Sequence, residues 1–183
     1  MKCRHGYVAV AAAVAALSCL TFSTAVKAQE QDKEQTELAT ALQGVSVSLE
    51  RGLSAASRSG KPISGKFEVE GGTVQLSVYT MKGAEFSEVI VDHKTGRISK
   101  TEKIASGDDL KAAQEQSAAM AKAKRTLRSA VEHAIKANAG FKAVSVVAAL
   151  DGETPTATYD TRTMTAMATR RASVVPSNSF RQP

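Results

Sequence analysis

Cysteine is almost missing from this sequence. Of 183 residues only Cys3 and Cys19 are cysteines, and both precede the segment that reads as mature protein. That excludes a disulfide framework and a cysteine nucleophile there, so packing alone has to hold the fold. Histidine is nearly as scarce. Beyond the first 28 residues only His93 and His133 remain, which excludes an HExxH zinc helix and argues against a multi-histidine metal site. No serine stands in a Gly-x-Ser-x-Gly elbow, and no Gly-x-x-x-x-Gly-Lys follows Gly71-Gly72, so that pair predicts a hairpin turn rather than a phosphate loop. The residues alone describe an exported α+β domain without a visible active site. The expectation is a non-enzymatic protein with no cofactor and no metal.

The leader is present as a pattern. Met1-Lys2-Cys3-Arg4-His5 supplies a positive start, and Tyr7 to Leu20 is an apolar run too short to span a bilayer comfortably. Val26-Lys27-Ala28 places small residues at the two positions that a signal peptidase reads, which predicts cleavage after Ala28 and a periplasmic or secreted protein without stable membrane insertion. Lipoprotein processing at Cys19 is the alternative, although the large aliphatic residue usual three places before such a cysteine is missing.

The net charge of +6 is misleading as a whole-chain value. Lys2, Arg4 and Lys27 lie in the leader, and Arg162, Arg170, Arg171 and Arg181 lie in a tail with no acid after Asp160. Without these seven, 17 basic residues face all 18 acids, a net of −1 for residues 29–160. A near-neutral domain gives no reason to expect nucleic acid as a partner.

Residues 29–35 contain no apolar side chain and predict a flexible arm. Leu38, Leu42, Val45, Leu49 and Leu53 then recur at spacings of four, three, four and four, one face of a helix ending at Gly60 and Pro62. A meander follows. Lys66 to Glu70 alternates, Val74, Leu76 and Val78 share a face, Lys82-Gly83-Ala84 turns the chain, and Val89-Ile90-Val91 suits a buried strand. Asp92 to Gly96 forms a tight turn in which Asp92 accepts backbone N–H bonds and Gly96 takes the positive φ. Arg97 to Ile104 returns as a charged edge strand. Asp109 to Ala139, rich in alanine and free of proline, predicts a connecting helix and a packed helix with a kink near Ala123, stopped by Asn138-Ala139-Gly140. Ala143 to Leu150 and Thr156 to Thr161 predict a second hairpin around Asp151-Gly152. The order helix, strand, Gly turn, strand thus occurs twice.

Gly65 to Glu70, Leu76-Ser77-Val78-Tyr79 and Glu88 to Ile98 together resemble a PepSY domain, whose helix precedes a hairpin and whose later strand ends in an Asp-x-x-Thr-Gly-[Lys/Arg] turn. Asp92, Thr95 and Gly96 match that turn, as structural residues. The likeness covers roughly 100 residues and implies an α+β fold, a helix on an antiparallel meander, repeated as two units with the second truncated: no Asp-x-x-Thr-Gly occurs after Asp151. The expected domains are 1–28 signal peptide, 29–35 arm, 36–105 first unit, 106–161 connecting helix and partial second unit, and 162–183 disordered basic tail. PepSY domains occur in propeptides of thermolysin-like metalloproteases and as free-standing periplasmic proteins. The resemblance therefore implies binding of a protein or peptide partner, with inhibitor-like restraint of an envelope protease as one form. An envelope sensor for a small ligand or metal ion is the alternative.

Among chemical candidates, Asp92-His93 offers two metal ligands at a turn, but Asp92 is more simply explained by ordering the turn backbone. Adjacent acids Asp108-Asp109 point to different sides of a helix start, which favours capping over acid/base work. Lys122, Lys124, Arg125, Arg128 and Lys136 make a basic helix face, partly offset by Glu115 and Glu132, best understood as a solvated face.

Overall fold

The computed structural model describes residues 36–163 and 169–176, with side chains placed for 36–162. The leader, the cleavage after Ala28, the Cys19 alternative and the arm at 29–35 lie outside the described residues.

Helices α1 (Leu49–Ala56), α2 (Gly107–Lys122) and α3 (Leu127–Ala137) pack on seven strands: β1 (Lys61–Glu70), β2 (Thr73–Lys82), β3 (Glu85–Val91), β4 (Ile98–Ile104), β5 (Phe141–Asp151), β6 (Thr154–Thr163) and β7 (Thr169–Pro176). The fold class is α+β. One sheet holds every strand in the order β4-β3-β2-β1-β5-β6-β7, and every pairing is antiparallel. Three hairpins close with two-residue loops, between Glu70 and Thr73, Lys82 and Glu85, and Asp151 and Thr154. Each loop opens on a glycine, the residue that such tight turns favour. As its charges suggest, β4 is an edge.

Strand alternation divides the sheet into two faces. On one, α1 buries Leu49, Leu53 and Ala56, and α3 buries Leu127, Val131 and Ala134, over Leu76, Val78, Val89, Val91 and Val146. Helix α1 approaches β2 so closely that a Cβ on Gly52 would lie 2.3 Å from Leu76 Cδ2. Helix α2 meets side chains of the other face, where Tyr79 and Met81 reach it. The Lys61 ammonium donates to the Met120 carbonyl at 3.0 Å near the end of α2. The expected kink near Ala123 is a full break, since Ala123 turns extended and Thr126 caps α3 anew by accepting from Ser129 N at 3.2 Å.

Three expectations need correction. The apolar stripe from Leu38 to Leu53 is not one helix: residues 36–41 are helical, Leu42–Gly44 form a 3-10 turn, Val45 is extended, and Ser48 starts α1 by accepting from Arg51 N. Gly44 weakens the helix at this point, and tertiary bonds take over, because Ser46 N and Val47 N both donate to His93 O, at 3.1 and 3.0 Å. Nor does α1 run on to Gly60. The helix closes at Ser57, whose N–H reaches Leu53 O, while Gly60 stands where a Cβ would lie 2.7 Å from the Met81 carbonyl oxygen. Finally, the segment expected as a disordered tail supplies β7, which pairs with β6 from Arg162↔Thr169 to Thr156↔Pro176. An edge of β6 with unmet backbone groups is the physical reason for a ladder where side-chain alternation gives little signal.

Candidate functional site

The Asp92–Arg97 turn is built as a closed network. Asp92 Oδ1 accepts from Lys94 N at 3.0 Å, Thr95 N at 2.6 Å and Thr95 Oγ1 at 2.9 Å. Thr95 Oγ1 in turn accepts from Arg97 N at 3.3 Å. The backbone closes around them, with Gly96 N donating to Asp92 O and Asp92 N to Arg97 O, both at 2.8 Å. Gly96 sits at φ +74°, the left-handed region that glycine tolerates. Bonds from Thr95, first its N–H and then its hydroxyl, and from Lys94 N–H hold the Asp92 carboxyl below its ordinary value. All three motif residues thus come together.

The turn is also a dock. The His93 carbonyl receives the two N–H groups of Ser46 and Val47 that lead into α1. A Cβ on Gly96 would stand 3.1 Å from Arg51 Nε and 3.5 Å from Val47 Cγ2, so the glycine serves both the turn and the seat of α1. Val47, 2% exposed, is buried at this contact. As a metal site Asp92-His93 gathers no third ligand: among the described residues no group of three or more His, Cys, Asp or Glu side chains is placed to hold an ion.

Asp108 and Asp109 both stand in the first turn of α2, where acids complement a helix N-terminus, and Asp109 makes a tertiary bond besides. Ser106 precedes α2 without a side-chain cap bond, and Asp109 Oδ1 accepts from Tyr79 Oη at 2.8 Å. This bond ties the first turn of α2 to β2. Burial first, then the Asp109 carboxylate, pushes the Tyr79 hydroxyl well above its ordinary range. Thirty residues separate the partners, and no local pattern marks the pair.

Elsewhere the polar groups form small clusters, and Val147 and Leu150 are exposed apolar side chains. On the face shared by Tyr79, cross-strand neighbours Ser77, Lys66 and Ser145 lie side by side, with Ser77 Oγ donating to Glu68 Oε1 at 2.8 Å and Lys66 pairing with Glu68 at 2.6 Å. The basic helix face is partly neutralised, Lys122 by Glu153 and Arg128 by Glu132. Lys124, Arg125 and Thr126 border a shallow cleft between the end of α2 and Pro155-Thr156-Ala157. Edge strand β4 presents Lys100, Glu102 and Lys103, with Lys103 paired to Glu85 at 2.7 Å. Among the described residues no helix is long and apolar enough to cross a membrane. Comparison with family models, curated proteins and solved structures finds no match for the chain.

Proposed function

We propose that the chain is an exported, PepSY-like binding module that acts without catalysis. It holds an extended segment of a protein or peptide partner, and restraint of an envelope protease is one form of that role. The observation that carries this reading is the turn at Asp92, Thr95 and Gly96. It follows a helix and three strands and seats that same helix, and its polar groups are engaged with one another. Strand order supports a two-unit organisation, since α1 with β1-β2-β3 and α3 with β5-β6-β7 extend in opposite directions from the central β1–β5 pair. In this reading β7 takes the place of the strand that the sequence pattern does not announce. Met1 to Ala28 supports export to the periplasm or beyond.

Binding would use the sheet edge. The outer side of β4 offers a row of main-chain donors and acceptors, the requirement for adding an extended segment as a further strand. Affinity capture from an envelope extract tests the reading, with the Gly96→Val variant, held at a temperature between its own melting point and that of the parent, as the unfolded control. A protein enriched over that control is expected. No enrichment, together with tight binding of one metal ion or metabolite in calorimetry, would replace the partner reading with that of a small-ligand sensor.

A further inference from the structure

The outer edge of β4 carries a charge pattern that is its own complement. The strand runs Ile98-Ser99-Lys100-Thr101-Glu102-Lys103-Ile104, and Lys100 and Glu102 share a face on either side of Thr101. They pair with each other at 2.8 Å, yet their side chains remain 61% and 52% exposed. On the inner side Lys100 lies opposite Ile90, whereas Glu102 lies opposite Glu88. Two carboxylates directly across a ladder are unfavourable. Lys100 is the nearby counter-charge, its ammonium held above the ordinary value first by Glu102 and more weakly by Glu70 and Glu88. A second cation beside Glu102, on the outer side, would therefore be favoured.

We propose that β4 pairs edge to edge with β4 of a second copy of this chain, antiparallel about a two-fold axis at Thr101. Lys100 then lies opposite the partner's Glu102 and Glu102 opposite the partner's Lys100, so four charges alternate around the axis and each Glu88/Glu102 contact gains a cation. Charge also sets the register. Sliding by two residues one way brings Lys100 against the partner's Lys100, and the other way brings Glu102 against the partner's Glu102. An isologous contact of this kind closes as a dimer rather than a fibre. The irregularity between Ile90 and Val91 interrupts the ladder near Ser99, which keeps the contact short. An interface below about 1,200 Å² is weak and transient. The proposal goes beyond partner binding and is measured without any partner, although a second copy and a partner strand would exclude each other from this edge.

Sedimentation equilibrium of the purified protein, up to about 1 mM to capture weak association, should show a monomer–dimer equilibrium that weakens as salt rises. Lys100→Glu and Glu102→Lys should each weaken it by roughly tenfold, because two cross-strand attractions become repulsions. Glu102→Lys also places a cation opposite Glu88, so that variant keeps its fold, which circular dichroism verifies. The double variant Lys100→Glu/Glu102→Lys restores the complement and should restore the dimer, and an equal mixture of the two single variants should form a heterodimer. Three results would each overturn the proposal: a monomer at every concentration, self-association unchanged by the single reversals, or no recovery in the double variant and the mixture.

Discussion

Gly96→Val is the sharpest test of the turn as a dock for α1. The substitution forces a β-branched residue to φ +74°, a strain on the order of 1–3 kcal/mol. It also crowds the seat of the helix: the new Cβ would meet Arg51 Nε at 3.1 Å and Val47 Cγ2 at 3.5 Å. Arg51 is exposed and can swing away, but Val47 is buried and fixed by its bond to His93, so crowding adds to the strain and a loss of about 3 kcal/mol is expected. For a domain of this size each kcal/mol shifts Tm by roughly 2–4 °C, which predicts a fall of about 6–12 °C. Gly71→Ala supplies the comparison. Its φ is +57° and a Cβ there meets nothing within 4 Å, so it carries strain without crowding. Thermal and urea denaturation of Gly96→Ala, Gly96→Val and Gly71→Ala separate the two contributions. Equal losses in the two alanine variants would refute the docking role, and an unchanged Tm in Gly96→Val would refute the turn itself.

Asp92→Asn tests the same turn by pH. The folded-state carboxyl lies below its ordinary value of 3.8, so the charged form contributes stability that is present above that value and fades as pH falls through the lower folded one. The variant should therefore be less stable at neutral pH and lose less than the parent on acidification, as melting temperatures across the acid range would show. Gly52→Ala should lower stability by about 1–3 kcal/mol despite the better helix propensity of alanine, because the methyl would displace Leu76 from the core; a more stable variant in urea would contradict that packing. Thr126→Ala removes the cap that accepts from Ser129 N and should cost about 1 kcal/mol in the same assay. Tyr79→Phe should release the first turn of α2, visible as faster amide exchange near Asp109 with little change in α1.

Local chemistry made much of the fold readable. Gly71-Gly72, Gly83 and Asp151-Gly152 each mark a turn through residues that few other conformations favour, and the alternation of Val74, Leu76 and Val78 identifies a buried face without reference to the rest of the chain. Asp92, Thr95 and Gly96 were legible as a turn for the same reason. Their docking function was not, because the acceptor is the His93 carbonyl, a backbone group whose use no side chain announces. The same bonds explain why a helical stripe through Leu42 and Val45 breaks before Leu49: a spacing rule cannot anticipate N–H groups taken by a distant turn. Asp109 met Tyr79 rather than acting only on its own helix, again through a contact distant in sequence. Arg170 and Arg171 obscure the strand pattern of β7, whose place depends on the edge that β6 offers.

Amide hydrogen exchange over Ile98–Ile104 tests the central claim, that this protein works by lending its β4 edge to another strand. Exchange should slow in the β4 amides that face outward when a captured partner is added to dilute, monomeric protein, while exchange in β2 and β5 stays as it was. Unchanged exchange throughout β4 in a complex that demonstrably forms would contradict the account and place recognition on another surface.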